Sequence, residues 1–280
     1  MLWGLHSGGW MSGLIGHAED TYRAQIDLLA EFDLHVTGWS AKELMAMEPG
    51  RREELAGWLK ERDIYINLGV NAAFLSSDAD ELKRTTDAAI EAVSTLAPLL
   101  RTKVCTTGIP RQYHHYSRDL PVAKQIDILS ATMAPLAAAC HKAGCPLGIH
   151  TVVHFGSDMA ALCSRVPRLG LVFDTANPLL IGEPPLIAAE ACAPYTIATH
   201  FKDHYATPNF KPLGLVARGA VPGQGDCCLR EIYGLLMRKA PNPQALVMEL
   251  EIDPVRDEND VPRDRREVLT EAVAFIRSLQ

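Results

Sequence analysis

Four short apolar stretches of this chain each end on a side chain that can bind a metal: LGIH on His150, GLVFD on Asp174, TIATH on His200 and LVME on Glu249. In a strand, alternate side chains share a face. Gly148 and His150 then form one row, and Gly170, Val172 and Asp174 a second. Thr196, Ala198 and His200 form a third, and Ala245, Val247 and Glu249 a fourth. The opposite rows, which include Leu171, Phe173, Ile197, Phe201 and Met248, are mostly apolar and suit contact with helices. Two imidazoles and two carboxylates at one point would bind a divalent ion and leave positions free for a substrate. Glu251 has the same parity as Glu249, so the sequence leaves open which of them is the ligand.

Convergence requires the elements to be parallel. Residues 169–204 read strand, helix, strand, with a helical patch Ile187 to Cys192 after Pro184-Pro185. A βαβ unit brings both strand C-termini to one end of the sheet, where α/β folds hold their sites. Asp174 and His200 should therefore adjoin. Further strands are expected at Leu2–His6, Leu34–Trp39, Ile64–Gly69, Thr102–Thr107, Pro146–Thr151 and Gln244–Glu251. Helical patterns lie between them, one of them (Pro121 to Ala143) bent at Pro135. Eight strands alternating with helices predict an α/β protein, a single (β/α)8 TIM barrel domain over residues 1–280. An open doubly wound sheet would carry a Gly-rich phosphate turn after the first strand, and Gly8-Gly9 does not make one.

Other residues are candidates by position. His6, Trp10 and Trp39 end the first two strands, Trp10 in a Gly/Ser loop, and could wall a sugar ring. His154 is a reserve ligand, base or substrate contact. Residues 202–226 read as a long loop covering the mouth, with Arg218 and the turn Gly223-Gln224-Gly225-Asp226 near a substrate. Lys202 and Asp203 read either as catalytic groups or as a surface ion pair.

Composition narrows the class. With 48% hydrophobic and 22% charged residues, the chain can bury a large core and is not disordered. A net charge of −7 argues against broad nucleic-acid binding. The seven cysteines lack CxxC spacing and mostly fall in apolar segments, so a reducing cytoplasm is expected. The N-terminal MLWGLHSGGWMSG does not read as a signal peptide, and no apolar run is long enough for a membrane span.

VFDTANP (172–178), THFKDH (199–204), PGQGD (222–226) with Arg218, and MELE (248–251) resemble the sugar phosphate isomerase/epimerase family of the xylose isomerase-like TIM-barrel superfamily. The similarity is close from about residue 145 onward and architectural before it. It implies Asp174, His200 and Glu249 as metal ligands, Arg218 near the substrate, and Lys202-Asp203 supporting the seventh strand. Family members commonly carry a glutamate, then a histidine two residues on, at the end of strand five; here those positions are His150 and Val152.

The implied chemistry is proton abstraction beside a carbonyl, with an enediolate stabilised by a divalent ion. Mn²⁺ is the first choice, with Co²⁺, Fe²⁺, Zn²⁺ or Mg²⁺ as the others. Glu249 is the leading base, and His150, His154 or Lys202 its partner. The expectation is an isomerase or epimerase of a keto sugar or related small carbohydrate, with a homo-oligomer left open. The alternative is a dehydratase or lyase acting by β-elimination on a keto sugar or keto-glycoside. Two further readings are an AP-endonuclease-like DNA repair enzyme, which needs a basic face, and a non-catalytic barrel subunit.

Overall fold

A computed structural model describes residues 1–210 and 213–280. Its strands are β1 (Leu2–Leu5), β2 (Val36–Ser40), β3 (Tyr65–Gly69), β4 (Thr102–Thr107), β5 (Leu147–His150), β6 (Leu169–Asp174), β7 (Thr196–Phe201), β8 (His204–Phe210), β9 (Leu213–Gly219) and β10 (Val247–Leu250). Eight of them close a barrel in the order β1-β10-β7-β6-β5-β4-β3-β2, and each pairing is parallel. Helices follow the strands around the outside, which makes the protein a (β/α)8 barrel.

Period-two alternation separates two cores. Val36, Val104, Val172, Ala198 and Val247 pack against one another inside the barrel. Leu171, Phe173, Phe201 and Met248 point the other way, into the layer shared with the helices. Ile197 departs from the expected outward row. The register of β6 on β7 slips between Leu171 and Val172, and Ile197 packs with the lumen cluster over Gly148 and Gly170. Two side-chain-free positions leave a void there, and the bulge lets Ile197 fill it.

Four other expectations change in detail. The Gly/Ser segment after β1 contains a short helix, Gly9–Ile15, with Met11 fully buried. Arg265 anchors it by donating from Nη1 to the carbonyls of Gly9 (3.1 Å) and Trp10 (2.6 Å). Residues 202–226 are not a plain loop: β8 and β9 form an antiparallel hairpin within them, with Lys211 and Pro212 outside the described residues. The last barrel strand starts at Val247, because Pro243–Ala245 forms a 3-10 turn that removes Ala245 from the inward row. The expected bend at Pro135 is a break at Met133, between helices Val122–Thr132 and Ala134–Lys142. No described helix is long and apolar enough to cross a membrane.

Candidate metal centre

Strand register puts the predicted ligands on one level. Asp174 pairs with His200, and His200 with Glu249, so three adjacent strands present them in a row. His150 pairs with Val172, one residue pair lower, and its Nε2 reaches to 3.4 Å from Asp174 Oδ2. The rings of His150 and His200 lie 4.3 Å apart, centroid to centroid. His150, Asp174 and His200 each offer a ligand atom within 4.8 Å of the others.

The sequence around Asp174 divides the work of its carboxylate. Oδ1 accepts from the backbone N–H groups of Ala176 and Asn177, both at 2.9 Å, while Thr151 Oγ1 accepts from the Asp174 N–H. Asn177 Nδ2 donates to the Thr151 carbonyl. These bonds fix the ring-side geometry of DTAN and leave Oδ2 free of any hydrogen bond. Burial would raise the Asp174 carboxyl, but the nearby Lys202 and His150 outweigh it and hold it below the ordinary range.

Glu251, just beyond β10, joins this group. Its Oε2 lies 2.9 Å from His200 Nδ1 and its Oε1 2.7 Å from Lys202 Nζ. His6, at the end of β1, completes a second set of potential ligands with His200 and Glu251. Its ring lies 4.6 Å from that of His200, and its Nδ1 accepts from the Gly8 N–H. Burial and the neighbouring His200 lower the His6 pKa below its ordinary value, which favours the neutral, ligating imidazole. His200, shared by both sets, is the centre of the site.

Glu249 shares the level of His200 and stands two residues before Glu251. It is fully buried, accepts a hydrogen bond from Asn67 Nδ2 across the barrel, and sits 3.9 Å from His200 Nε2. Thr106 Oγ1 in turn donates to Asn67 Oδ1. Sequence reasoning missed Asn67 and Thr106. The signal available was Asn67 itself, an amide between the apolar Ile66 and Leu68 of β3.

Lys202 and Asp203 are buried rather than paired at the surface. Lys202 Nζ bridges Glu251 and, at 3.3 Å, Asp174 Oδ2. Burial alone would lower its pKa, but the two carboxylates more than offset this, so the ammonium stays charged and suits charge neutralisation better than base catalysis. Asp203 organises the Gly-rich turn: Oδ2 accepts from the N–H groups of Gly223 and Gly225 at 2.9 Å, and Oδ1 from Cys227 at 3.1 Å. A Cβ on Gly225 would lie 2.3 Å from Asp203 Oδ1, and Gly223 has φ +91°, so both glycines are required by this turn. The PGQGD turn is thus a fastening for the end of β7.

The remaining candidates sit apart from the ligand groups. His154 Nε2 pairs with Gln125 Oε1 at 2.8 Å, and burial lowers its pKa to about 4, so this ring secures the 108–120 loop. Arg218 lies on the exposed hairpin, 3.9 Å from Asp260 Oδ1. Trp39 donates to Gln25 and walls one cavity of the mouth, and Trp10 walls another.

The donor atoms fit a divalent cation. His150 Nε2, Asp174 Oδ2, His200 Nδ1, Glu249 Oε1 and Glu251 Oε2 are all buried without a well-formed hydrogen bond among the described residues, and the close approaches of the first three and Glu251 are to one another and to Lys202. Unsatisfied buried polar atoms are rare and costly, and here they cluster at one point. Imidazole nitrogens and carboxylate oxygens suit Mn²⁺, Fe²⁺, Co²⁺ or Zn²⁺.

The barrel, the ligand row and the 28–279 match to the family model described as xylose isomerase-like TIM barrel place this chain in that family. No curated protein matches the chain. Among solved structures it is similar to D-psicose 3-epimerase with D-tagatose from Clostridium cellulolyticum H10, at 14% identity and TM-score 0.72, over 100% of this chain and 98% of that one. The "probable 3-DHS dehydratase" AsbF from Bacillus anthracis is similar at 14% identity and TM-score 0.70, over 99% of both chains. A xylose isomerase-like TIM barrel protein from Mycobacterium smegmatis, in complex with magnesium, is similar at 15% identity and TM-score 0.67, over 98% of this chain and 97% of that one. At these identities the likeness shows the shared fold.

Proposed function

We propose that this protein is a divalent-metal-dependent isomerase or epimerase of a keto sugar or related carbohydrate, acting through an enediolate. The observation that carries this reading is the cluster of buried ligand atoms on His150, Asp174, His200, Glu249 and Glu251 at the barrel mouth, which face one another without well-formed hydrogen bonds. Similar structures include a sugar 3-epimerase, which supports the reaction class. We take Mn²⁺ as the first choice because carboxylate oxygens make up at least half of the set, with Fe²⁺, Co²⁺ and Zn²⁺ suited by its imidazoles.

A bound divalent ion would supply Lewis-acid stabilisation for negative charge on neighbouring substrate oxygens. His150, Asp174, His200 and a strand-ten carboxylate would hold it. Glu251 faces an open cavity and is the carboxylate a substrate would meet, while Glu249 lies below it, fixed by Asn67. These two are the bases that can take the proton next to the carbonyl. Lys202 keeps the carboxylates neutralised and oriented. Arg218, on the hairpin, would reach a substrate only at its outer end.

A second reading is dehydration or β-elimination. It is favoured by His150, which stands where a family glutamate would supply a second ligating base, and one similar structure is called a dehydratase.

Two measurements test the proposal together. Elemental analysis should find about one divalent ion per chain, lost in Asp174→Asn. Proton NMR in D₂O with added Mn²⁺ should show exchange of a proton beside the carbonyl in a panel of ketoses and keto-glycosides, abolished by the same substitution. A protein that binds no ion and exchanges no substrate proton would overturn it.

A further inference from the structure

We infer that His6 is a further catalytic residue: its Nε2–H donates a hydrogen bond to the substrate oxygen that carries the enediolate charge, and the ring is not a ligand of the ion. The inference deepens the metal-centred reading above and rests on it.

Distance alone would let His6 ligate an ion beside His200 and Glu251, since each offers a ligand atom within 4.8 Å of the others. The hydrogen bonding of the ring assigns it another part. The Gly8 N–H donates to His6 Nδ1 at 3.1 Å, so Nδ1 presents a lone pair and carries no proton. A neutral imidazole has one acceptor nitrogen and one N–H, so the proton sits on Nε2. The lone pair that an ion would need is the one Gly8 already occupies.

The chain on either side of the ring fixes where that N–H points. A Cβ on Gly8 would lie 3.0 Å from His6 Nδ1 and 3.3 Å from Cε1, so this edge faces the turn after β1. A Cβ on Gly38 would lie 3.9 Å from His6 Cδ2, so the opposite edge faces β2. Ser7 ties the two strands here by donating from Oγ to the Gly38 carbonyl. Nε2 is bonded to Cε1 and Cδ2, so it forms the tip between these two edges, and the ring lines both cavities of the mouth. Among the described residues Nε2 has no hydrogen-bond partner and is not sealed from solvent, which leaves its N–H for a substrate.

Gly38 also brings this donor close to a base. A Cβ there would lie 3.4 Å from Glu249 Oε1, the carboxylate oxygen that Asn67 does not hold. The absent side chain leaves space bordered by the His6 ring and by Glu249. A substrate entering it would meet a carboxylate for its proton and an N–H for its oxygen. A donor fixed in advance stabilises negative charge as it develops, and a neutral imidazole can do so while keeping its proton. No proton therefore leaves Nε2 in this role.

Long-range proton–nitrogen NMR of ¹⁵N-histidine-labelled protein, metal-free and Zn²⁺-loaded, reads the tautomer directly. The His6 signals are those missing from His6→Phe. They should show a bare Nδ1 and a protonated Nε2 in both states; a proton on Nδ1, or an Nε2 bound to Zn²⁺, overturns the inference. His6→Phe should bind Mn²⁺ within about twofold of wild type, whereas loss of a ligand would weaken binding about tenfold or more. Its kcat for substrate-proton exchange should fall about 100-fold or more with little change in KM. His6→Gln, whose amide can still donate, should lose about tenfold or less. Should His6→Phe fail to fold, His6→Gln supplies the assignment and the Mn²⁺ affinity that decide. Weakened Mn²⁺ binding or unchanged exchange in His6→Phe overturns the role of His6 and leaves the enediolate reading standing. If no ketose or keto-glycoside of the panel exchanges a proton, the enediolate reading falls instead. The His6 Nε2 signal then decides the contact: a shift with any member of the panel supports it, and no shift with all of them overturns it.

Discussion

Lys202 Nζ lies 2.7 Å from Glu251 Oε1 and, through the same ammonium, 3.3 Å from the carboxylate of Asp174. One cation thus joins the end of β7 to carboxylates from β6 and from beyond β10. A lysine whose folded pKa is raised contributes stability that is fully present below its unfolded value, about 10.4, and is lost as pH rises through the folded value. The bridge is therefore intact across the neutral range. Lys202→Met should cost about 3–5 kcal/mol in metal-free protein, since it leaves buried charges uncompensated. A divalent ion would restore positive charge at the same carboxylates, so added Mn²⁺ should recover part of the loss. Urea unfolding with and without Mn²⁺ checks this; equal losses in both would mean that Lys202 and the ion do not share these carboxylates.

His154 has the opposite linkage. Its folded pKa, about 4, lies below the unfolded value of about 6.5 chiefly because the ring is buried. Stability from the neutral ring is present above the unfolded value and is lost as pH falls from there toward 4. By pH 5 the loss should reach about 2 kcal/mol. His154→Gln should be less stable than wild type at pH 7 but should lose about 2 kcal/mol less between pH 7 and pH 5. Parallel pH profiles for the two proteins in urea unfolding would place the titrating group elsewhere.

Strand parity made much of this site legible. His150, Asp174 and His200 stand where period-two rows put them, because parity is a local property and parallel register then aligns their ends. Parity could not choose between Glu249 and Glu251, which differ by a whole period. The structure assigns them different surroundings: Glu249 meets Asn67 in the lumen, and Glu251 meets His200 and Lys202 at the mouth. The pairing of Asn67 with Glu249 was illegible because the two lie 182 residues apart, and the helix Gly9–Ile15 because its anchor, Arg265, lies 255 residues from Trp10. The hairpin was hidden by Pro208 and Gly214, residues that ordinarily interrupt strands. The outward placement of Ile197 failed because a bulge set by the neighbouring strand resets parity.

Gly225 offers a test of the fastening at the end of β7. A methyl group there would lie 2.3 Å from Asp203 Oδ1, so either the carboxylate or the turn must shift. Asp203 would then lose part of its set of backbone partners at Gly223, Gly225 and Cys227. Gly225→Ala should cost about 1–3 kcal/mol, typical of overpacking combined with an unsatisfied buried group. Because Lys202 adjoins Asp203, divalent-ion affinity should weaken as well. Chemical unfolding and ion titration measure the two effects, and a variant as stable as wild type would show that the turn adapts freely.

His150 decides which ion and which outcome the centre favours. A neutral imidazole in place of a carboxylate removes one negative charge from the ligand set and makes it softer. Mg²⁺ prefers oxygen ligands in octahedral geometry, whereas Mn²⁺, Fe²⁺, Co²⁺ and Zn²⁺ accept imidazole readily. The wild type should therefore bind and use Mn²⁺ in preference to Mg²⁺. His150→Glu should narrow that gap by raising Mg²⁺ affinity about tenfold or more, as one further carboxylate contact implies. Native turnover should fall, because the new carboxylate would lie against Asp174, whose Oδ2 is now 3.4 Å from the imidazole Nε2. The same substitution bears on the reaction. A nitrogen that coordinates an ion cannot also carry the proton in flight, so His150 gives the wild type one fewer carboxylate for symmetric proton return. Exchange or elimination of the proton beside the carbonyl should accordingly outpace epimerisation in the wild type, and His150→Glu should shift the ratio toward epimerisation. Ion titrations and product ratios by NMR measure both effects. Equal activity of the wild type in Mg²⁺ and Mn²⁺, with clean epimerisation in both directions, would show that His150 sets neither.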